Sequence, residues 1–102
     1  MNSTVIQKPT YSQEDIQLAK YIKALAHPAR IAIMKLLTHR DTCICNDIVQ
    51  ELPLAQSTVS QHLKELKSAG LIQGNITPPR VKYCINRDNW SQAKTLIEKF
   101  LQ

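Results

Sequence analysis

QSTVSQHLKELKSAGLI, residues 56 to 72, decides how the rest of the chain is read. Ser57 fits an N-cap, Val59, Leu63 and Leu66 recur at i, i+4 and i+7, and Gly70 supplies the left-handed residue that ends a helix running to Ala69. With those three apolar positions turned inward, Thr58, Ser60, Gln61, Lys64 and Lys67 face out. Immediately upstream, Asn46 can cap a short helix over Asp47–Leu52, which Pro53 stops, and Pro53-Leu-Ala-Gln56 forms a turn. Short helix, tight turn and longer helix make a helix-turn-helix over about 46–69.

Outward from this unit the pattern continues. Leu71-Ile-Gln73 and Val81-Lys-Tyr-Cys-Ile85 are strand-like runs joined by Gly74–Arg80, a β-hairpin with a basic tip that makes a wing over about 71–86. On the N-terminal side, Ser12-Gln-Glu-Asp15 fits a capping box, and Ile16, Ala19, Ile22 and Ala26 follow at helical spacing, which predicts a first helix to Leu25. Pro28 opens a second helix to about Thr38, with Ile31, Ile33, Met34 and Leu37 as its apolar side. A terminal helix over about 89–101 carries Trp90, Ala93, Leu96, Ile97, Phe100 and Leu101 on one broad stripe. The expected fold is mainly α with a small β-hairpin, a winged helix-turn-helix in one domain over 12–102 behind a tail of residues 1–11.

A chain of 102 residues has room for one modest core, which places function on a surface or between subunits. Hydrophobic residues at 43% and charged residues at 21% are the balance of a folded globular domain. No apolar run approaches the roughly 18 residues that cross a bilayer, and MNSTVIQKPTYSQED lacks the blocks of a signal peptide, so the expectation is a cytoplasmic protein with no membrane partner. Three cysteines are an odd number and, in a reducing compartment, read as free thiols. The net charge is +5, and its excess concentrates in residues 54–82, where Lys64, Lys67, Arg80 and Lys82 face Glu65 alone. Such a segment suits nucleic acid, although a solvated lysine face has the same charge.

The helix over 56–69 has side chains for that partner. Gln56, Ser57, Thr58, Ser60 and Gln61 carry donors and acceptors that can read base edges in a major groove, while Lys64 and Lys67 pair with phosphates. On the wing, Arg80 and Lys82 can reach the neighbouring backbone or minor groove. His62, beside Leu63, reads as packed or phosphate-bonded rather than as a base reader.

Leu25-Ala-His-Pro-Ala-Arg-Ile31 with Leu36-Leu37, then Gln56-Ser-Thr-Val-Ser-Gln-His-Leu63 and Ala69-Gly-Leu-Ile72, together resemble the signature of the ArsR/SmtB family of metal- and metalloid-responsive repressors. The resemblance covers about 12–101. It implies a winged-helix homodimer, joined through its first and last helices, that blocks transcription at a double-stranded DNA operator until an inducer binds. Ile16, Ala19 and Ile22 on the first helix and Trp90, Ala93, Leu96, Ile97 and Phe100 on the last would form the interface. This agrees with the unclaimed apolar stripe of the last helix, although Trp90 and Phe100 could instead cover the monomer's own core.

Arsenic-responsive members of that family carry a Cys-x-Cys pair at the start of the first helix of the helix-turn-helix, and Cys43-Ile44-Cys45 matches its position. The resemblance therefore implies As(III) or Sb(III), thiophilic and three-coordinate, as inducer, with no cofactor needed for DNA binding. Ile48 stands where the pattern sometimes has a third cysteine. In many winged helices the segment before the helix-turn-helix pairs with the wing strand, which makes Cys84 the candidate third sulfur of a Cys43, Cys45 and Cys84 site; a small buried hydrophobe is its other reading. No histidine lies in 89–102, which disfavours the zinc site that other members build on the last helix. The same cysteines would also serve a sensor of oxidants or persulfides, or of soft ions of the Cd or Pb type, and they would be merely structural in a constitutive winged-helix protein. A thiol enzyme is disfavoured, since no general base or anion loop accompanies them and no catalytic residue stands out.

Overall fold

The computed structural model describes residues 10–39, 43, 55–76 and 81–102. Helix α1 (Gln13–Leu25) begins where a cap is first available: Ser12 is extended, and its Oγ accepts the Asp15 amide at 3.0 Å. Helix α2 (Pro28–Thr38) starts at a proline whose missing N–H costs nothing there, and His27 caps it, its Nδ1 accepting the Ala29 amide at 3.0 Å.

Helix α3 (Gln56–Ser68) corrects one expectation. Ser57, expected as its cap, lies inside the first turn; Ala55 is the capping residue, makes no side-chain bond, and accepts the Val59 amide through its carbonyl. The other end is as expected. Gly70 takes φ 84°, the Leu71 amide donates to Leu66 O and the Gly70 amide to Lys67 O, the paired bonds of a Schellman stop. The short helix over Asp47–Leu52, its Asn46 cap and the turn at Pro53 lie outside the described residues.

Strands β1 (Ile72–Asn75) and β2 (Lys82–Ile85) pair antiparallel, with Ile72 opposite Ile85, Gln73 opposite Cys84, Gly74 opposite Tyr83 and Asn75 opposite Lys82. Alternation turns Tyr83 and Ile85 into the core and leaves Lys82 exposed. Helix α4 (Arg87–Leu101) begins two residues earlier than Asn89, because Asn86 supplies the cap. Asn89 Nδ2 instead donates to Gly70 O at 2.9 Å, tying α4 to the end of α3.

Every element feeds one core: Tyr21 and Ala24 from α1, Ile33 and Leu37 from α2, Val59, Leu63 and Leu66 from α3, Ile72 from β1, Tyr83 from β2, Ala93 and Leu96 from α4. Ile31, expected on the inner side of α2, is 46% exposed. It stands two residues, about 200° of rotation, from Ile33, which is fully buried. Among the described residues no helix is long and apolar enough to cross a membrane.

Gly74 is the residue the wing cannot exchange. Its φ is 119°, and a Cβ there would run into the Lys82 carbonyl oxygen and come within 2.9 Å of Tyr83 Cα. Both obstacles are backbone of the paired strand and cannot swing aside. Gly74→Ala is expected to destabilise the fold by about 1–3 kcal/mol, read from the urea midpoint at unchanged slope; an unchanged midpoint would show that the wing tolerates the shift.

Candidate nucleic-acid interface and thiol pair

Thr58, Gln61, Lys64 and Lys67 of α3 are exposed, as is Ser57, and Ser60 is half-buried. They form the polar face of a helix whose other face, Val59, Leu63 and Leu66, is at most 3% exposed. Two side chains of the polar face are held. Gln61 Nε2 donates to Glu65 Oε1 at 3.3 Å, and Lys67 Nζ donates to Gly74 O at 2.6 Å, joining the end of α3 to the wing. An ammonium has three protons, so Lys67 keeps donors for another partner. Gln56 opens the helix. Lys82 is exposed on β2, and Arg80 lies outside the described residues.

His62 is inward, only 7% exposed, which agrees with the packed side of its sequence reading. Arg30 Nε donates to its Nδ1 at 3.1 Å, and the His27 ring lies 4.3 Å away centroid to centroid. The Nη1 of Arg30 donates to Ala24 O at 3.2 Å and Lys23 O at 3.4 Å. One guanidinium thus joins the C-terminal carbonyls of α1 to the middle of α3. Because Nδ1 accepts, the neutral ring carries its proton on Nε2. Burial above all, then the neighbouring His27 and Arg30, holds the His62 pKa below the usual histidine value, against a smaller opposing pull from Glu65.

Of the expected interface residues, Ile16, Ala19, Ile22 and Phe100 are exposed, Trp90 and Ile97 half-buried. Ala93 and Leu96 face the chain's own core instead, at 1% and 8% exposure. The stripe on α4 is wide enough to serve two faces, and its inner edge packs on α1. There Tyr21 donates its hydroxyl proton to Gln92 Oε1 at 2.6 Å, and Lys99 pairs with Glu14 at 2.8 Å.

Cys43 and Cys84 are joined in a disulfide, their Cα atoms 4.3 Å apart across 41 residues of sequence. The expectation of free thiols is corrected for these two. Cys84 sits opposite Gln73 on the hairpin, and Cys43 lies beside it, the closeness expected from setting the segment before the helix-turn-helix against the wing strand, although as a disulfide and not as two thiols. Cys45 lies outside the described residues. Among the described residues no three His, Cys, Asp or Glu side chains converge as a metal site.

A family profile described as "Bacterial regulatory protein, arsR family" matches residues 27–73. An uncharacterized HTH-type transcriptional regulator of Mycobacterium tuberculosis, Rv0081, is 41% identical over 83 residues, covering 81% of this chain and 73% of that one. The chain belongs to the arsR family. An HTH-type transcriptional repressor SmtB of the same organism is 42% identical over 62 residues, which are 61% of this chain and 45% of the repressor, so the match spans under half of that relative. In fold, an ArsR-like transcriptional regulator from Rhodococcus superposes with a TM-score of 0.69 at 19% identity, covering 87% of this chain and 83% of the other. The crystal structure of Rv0081 gives 0.58 at 25% identity, over 89% and 95%. The hairpin and α3 of this arsR-family chain are therefore the wing and second helix of an ArsR-like winged helix.

Alkylation of denatured, unreduced protein followed by mass spectrometry is expected to label one thiol per chain, Cys45, and three after reduction. Three labelled thiols before reduction would overturn the pairing.

Proposed function

We propose that this arsR-family chain is a DNA-binding transcriptional repressor that releases its operator when a thiophilic metalloid, As(III) or Sb(III), binds its cysteines. One observation carries the reading. Cys43, ahead of α3, and Cys84, on the wing strand, meet, so their sulfurs link the chain entering the helix-turn-helix to the hairpin that flanks it. Whatever draws or parts those sulfurs acts directly on the frame that holds α3.

The donors fit such an ion. As thiols, Cys43 and Cys84 are two soft ligands already side by side, and Cys45 supplies the third in this reading. Each As–S bond forms as a thiol gives up its proton and arsenous acid gives up a hydroxyl, released together as water, with no electron transferred. The disulfide has first to be opened by a thiol reductant.

DNA recognition falls to the exposed face of α3, with Lys82 and Arg80 on the wing as further phosphate contacts. Homodimerisation is part of the same reading. Ile16 and Ile22 on α1 and Phe100 and Leu101 on α4 are 41–73% exposed, an apolar face that a second copy would bury. Two α3 helices could then address half-sites about 34 Å apart. Releasing DNA about a hundredfold more weakly asks for about 2.7 kcal/mol of coupling, within reach of a small displacement of α3.

Fluorescence anisotropy of a labelled operator, selected from random DNA, tests the proposal. Reduced protein is expected to bind and As(III) to release it, with Cys43→Ser and Cys84→Ser each binding but failing to respond. A complex that survives saturating As(III) would end the metalloid reading. One observation favours a second reading, an oxidant sensor: Cys43 and Cys84 are found as the disulfide, the product such a sensor forms when peroxide takes two electrons and two protons from the thiol pair. Release by peroxide but not by As(III) would select it.

The phosphate role of Lys64 has its own signature. Lys64→Ala is expected to weaken binding on every sequence alike and to lower the slope of log K against log salt by about one. An unchanged slope would remove Lys64 from the interface.

A further inference from the structure

We propose that Arg30 and His62 form a proton-sensitive latch that sets the seat of α3, so that acidification loosens the DNA-facing helix independently of the cysteines. The proposal rests on the reading of α3 as the DNA-contacting helix.

The geometry of the latch is specific. His62 is the one buried polar or charged residue among those described, and it lies on α3 between exposed Gln61 and core Leu63. Its ring flanks the apolar stripe and is gripped from outside the helix by Arg30 Nε at 3.1 Å. Arg30 is in turn fixed by the Ala24 carbonyl and by the Lys23 carbonyl, which also accepts the Ala26 amide at the end of α1. Three apolar contacts in a row along α3 hold it down but resist rotation about its axis weakly. A tether on one flank, anchored to another helix, is what fixes that rotation. Arg30 and His62 are therefore positioning residues for Thr58, Gln61 and Lys64.

The same geometry makes the tether conditional. The bond needs Nδ1 as an acceptor; once Nδ1 is protonated, two N–H donors and two positive charges face each other. The groups bearing on His62 are His27, the cap of α2, Arg30 on α2 and Glu65 on its own helix; α1 meets it through the carbonyls that Arg30 holds. Glu65 alone opposes the cations, and it is exposed and engaged with Gln61. The sign follows. In the latched state the His62 pKa is lowered, while an unlatched, solvated ring has the ordinary value of about 6.5, so protons bind the unlatched state better. The latch is closed at neutral pH and opens as pH falls below about 6.5.

Operator binding by the reduced wild-type protein, Cys43→Ser and His62→Asn, followed from about pH 7.5 to about pH 5, tests this. The asparagine of the last variant would offer Oδ1 where Nδ1 stood, an acceptor that does not protonate. Wild type and Cys43→Ser are expected to lose affinity by about fivefold or more, while His62→Asn changes less than about twofold. His27→Asn, whose side chain caps a helix equally well, is the control: pH dependence that persists in His62→Asn and vanishes in His27→Asn would overturn the proposal. Amide hydrogen exchange of the wild type over the same range reads the latch without DNA. Exchange through α3 is expected to quicken as the His62 ring titrates by NMR; unchanged exchange would overturn the proposal. Protein that binds no operator at any pH, yet shows this quickening, would sink the DNA reading and leave the latch standing.

Discussion

The whole arrangement depends on keeping a mostly polar helix seated along a single narrow stripe. Apart from Val59, Leu63 and Leu66, α3 is built from Gln, Ser, Thr, His, Lys and Glu, and a helix of 13 residues with this composition would not hold in water by propensity alone. Each of the three side chains contributes about 1.5–3 kcal/mol by leaving water, and the other elements exist in large part to receive them. Tyr21 from α1, Ile33 and Leu37 from α2 and Tyr83 from β2 belong to the same cluster. A narrow stripe frees the opposite face for a ligand, but it also leaves rotation poorly fixed. The polar bonds around α3 answer that weakness: Arg30 holds His62 at mid-helix, Lys67 reaches Gly74 on the wing, and the Schellman bonds pin the end below Gly70.

How much of this is legible in the sequence follows from the range of each interaction. Signals closed within a few residues read correctly: Ser12 as a cap, Gly70 as a stop, and Val59, Leu63 and Leu66 as an inner stripe. Where two local signals compete, composition misleads. Ser57 is a better cap by composition than Ala55, yet the backbone enters its first turn at Ala55 and leaves Ser57 on the surface. Ala93 and Leu96 read as an outer interface because a stripe shows its width but not how α1 and the core divide it. Contacts spanning tens of residues give no pattern to read. Arg30 and His62 stand 32 apart and Tyr21 and Gln92 71 apart, and neither separation marks a partnership.

The cysteines show the same limit from another side. The wing-strand pairing of winged helices already sets Cys84 near Cys43, but free thiols are the expectation there and the fold makes a disulfide. Strand alternation explains why Cys84 is available: it sits between core-facing Tyr83 and Ile85, which turns it to the other face of the hairpin, where it is only half-buried. A cysteine packed as a small hydrophobe would have taken the place of either neighbour. Its position therefore suits chemistry better than packing, for a metalloid and for an oxidant alike.

The two proposed controls meet α3 at different places, and this bears on how they would combine. The Cys43–Cys84 link acts on the chain that leads into the helix-turn-helix and on the outer face of the wing. The Arg30–His62 bond acts from the α1–α2 corner on the middle of α3. They share no residue, and what lies between them is the packed stripe itself. A displacement of α3 large enough to part Arg30 from His62 also turns the helix end carrying Lys67 relative to Gly74, and hence to the strand paired with β2. The inputs are then coupled only through the rigid body of the helix: an operator that holds α3 in its latched seat raises the free energy needed both to protonate His62 and to distort the thiol pair. By linkage each input must weaken the operator by the factor by which the operator resists it.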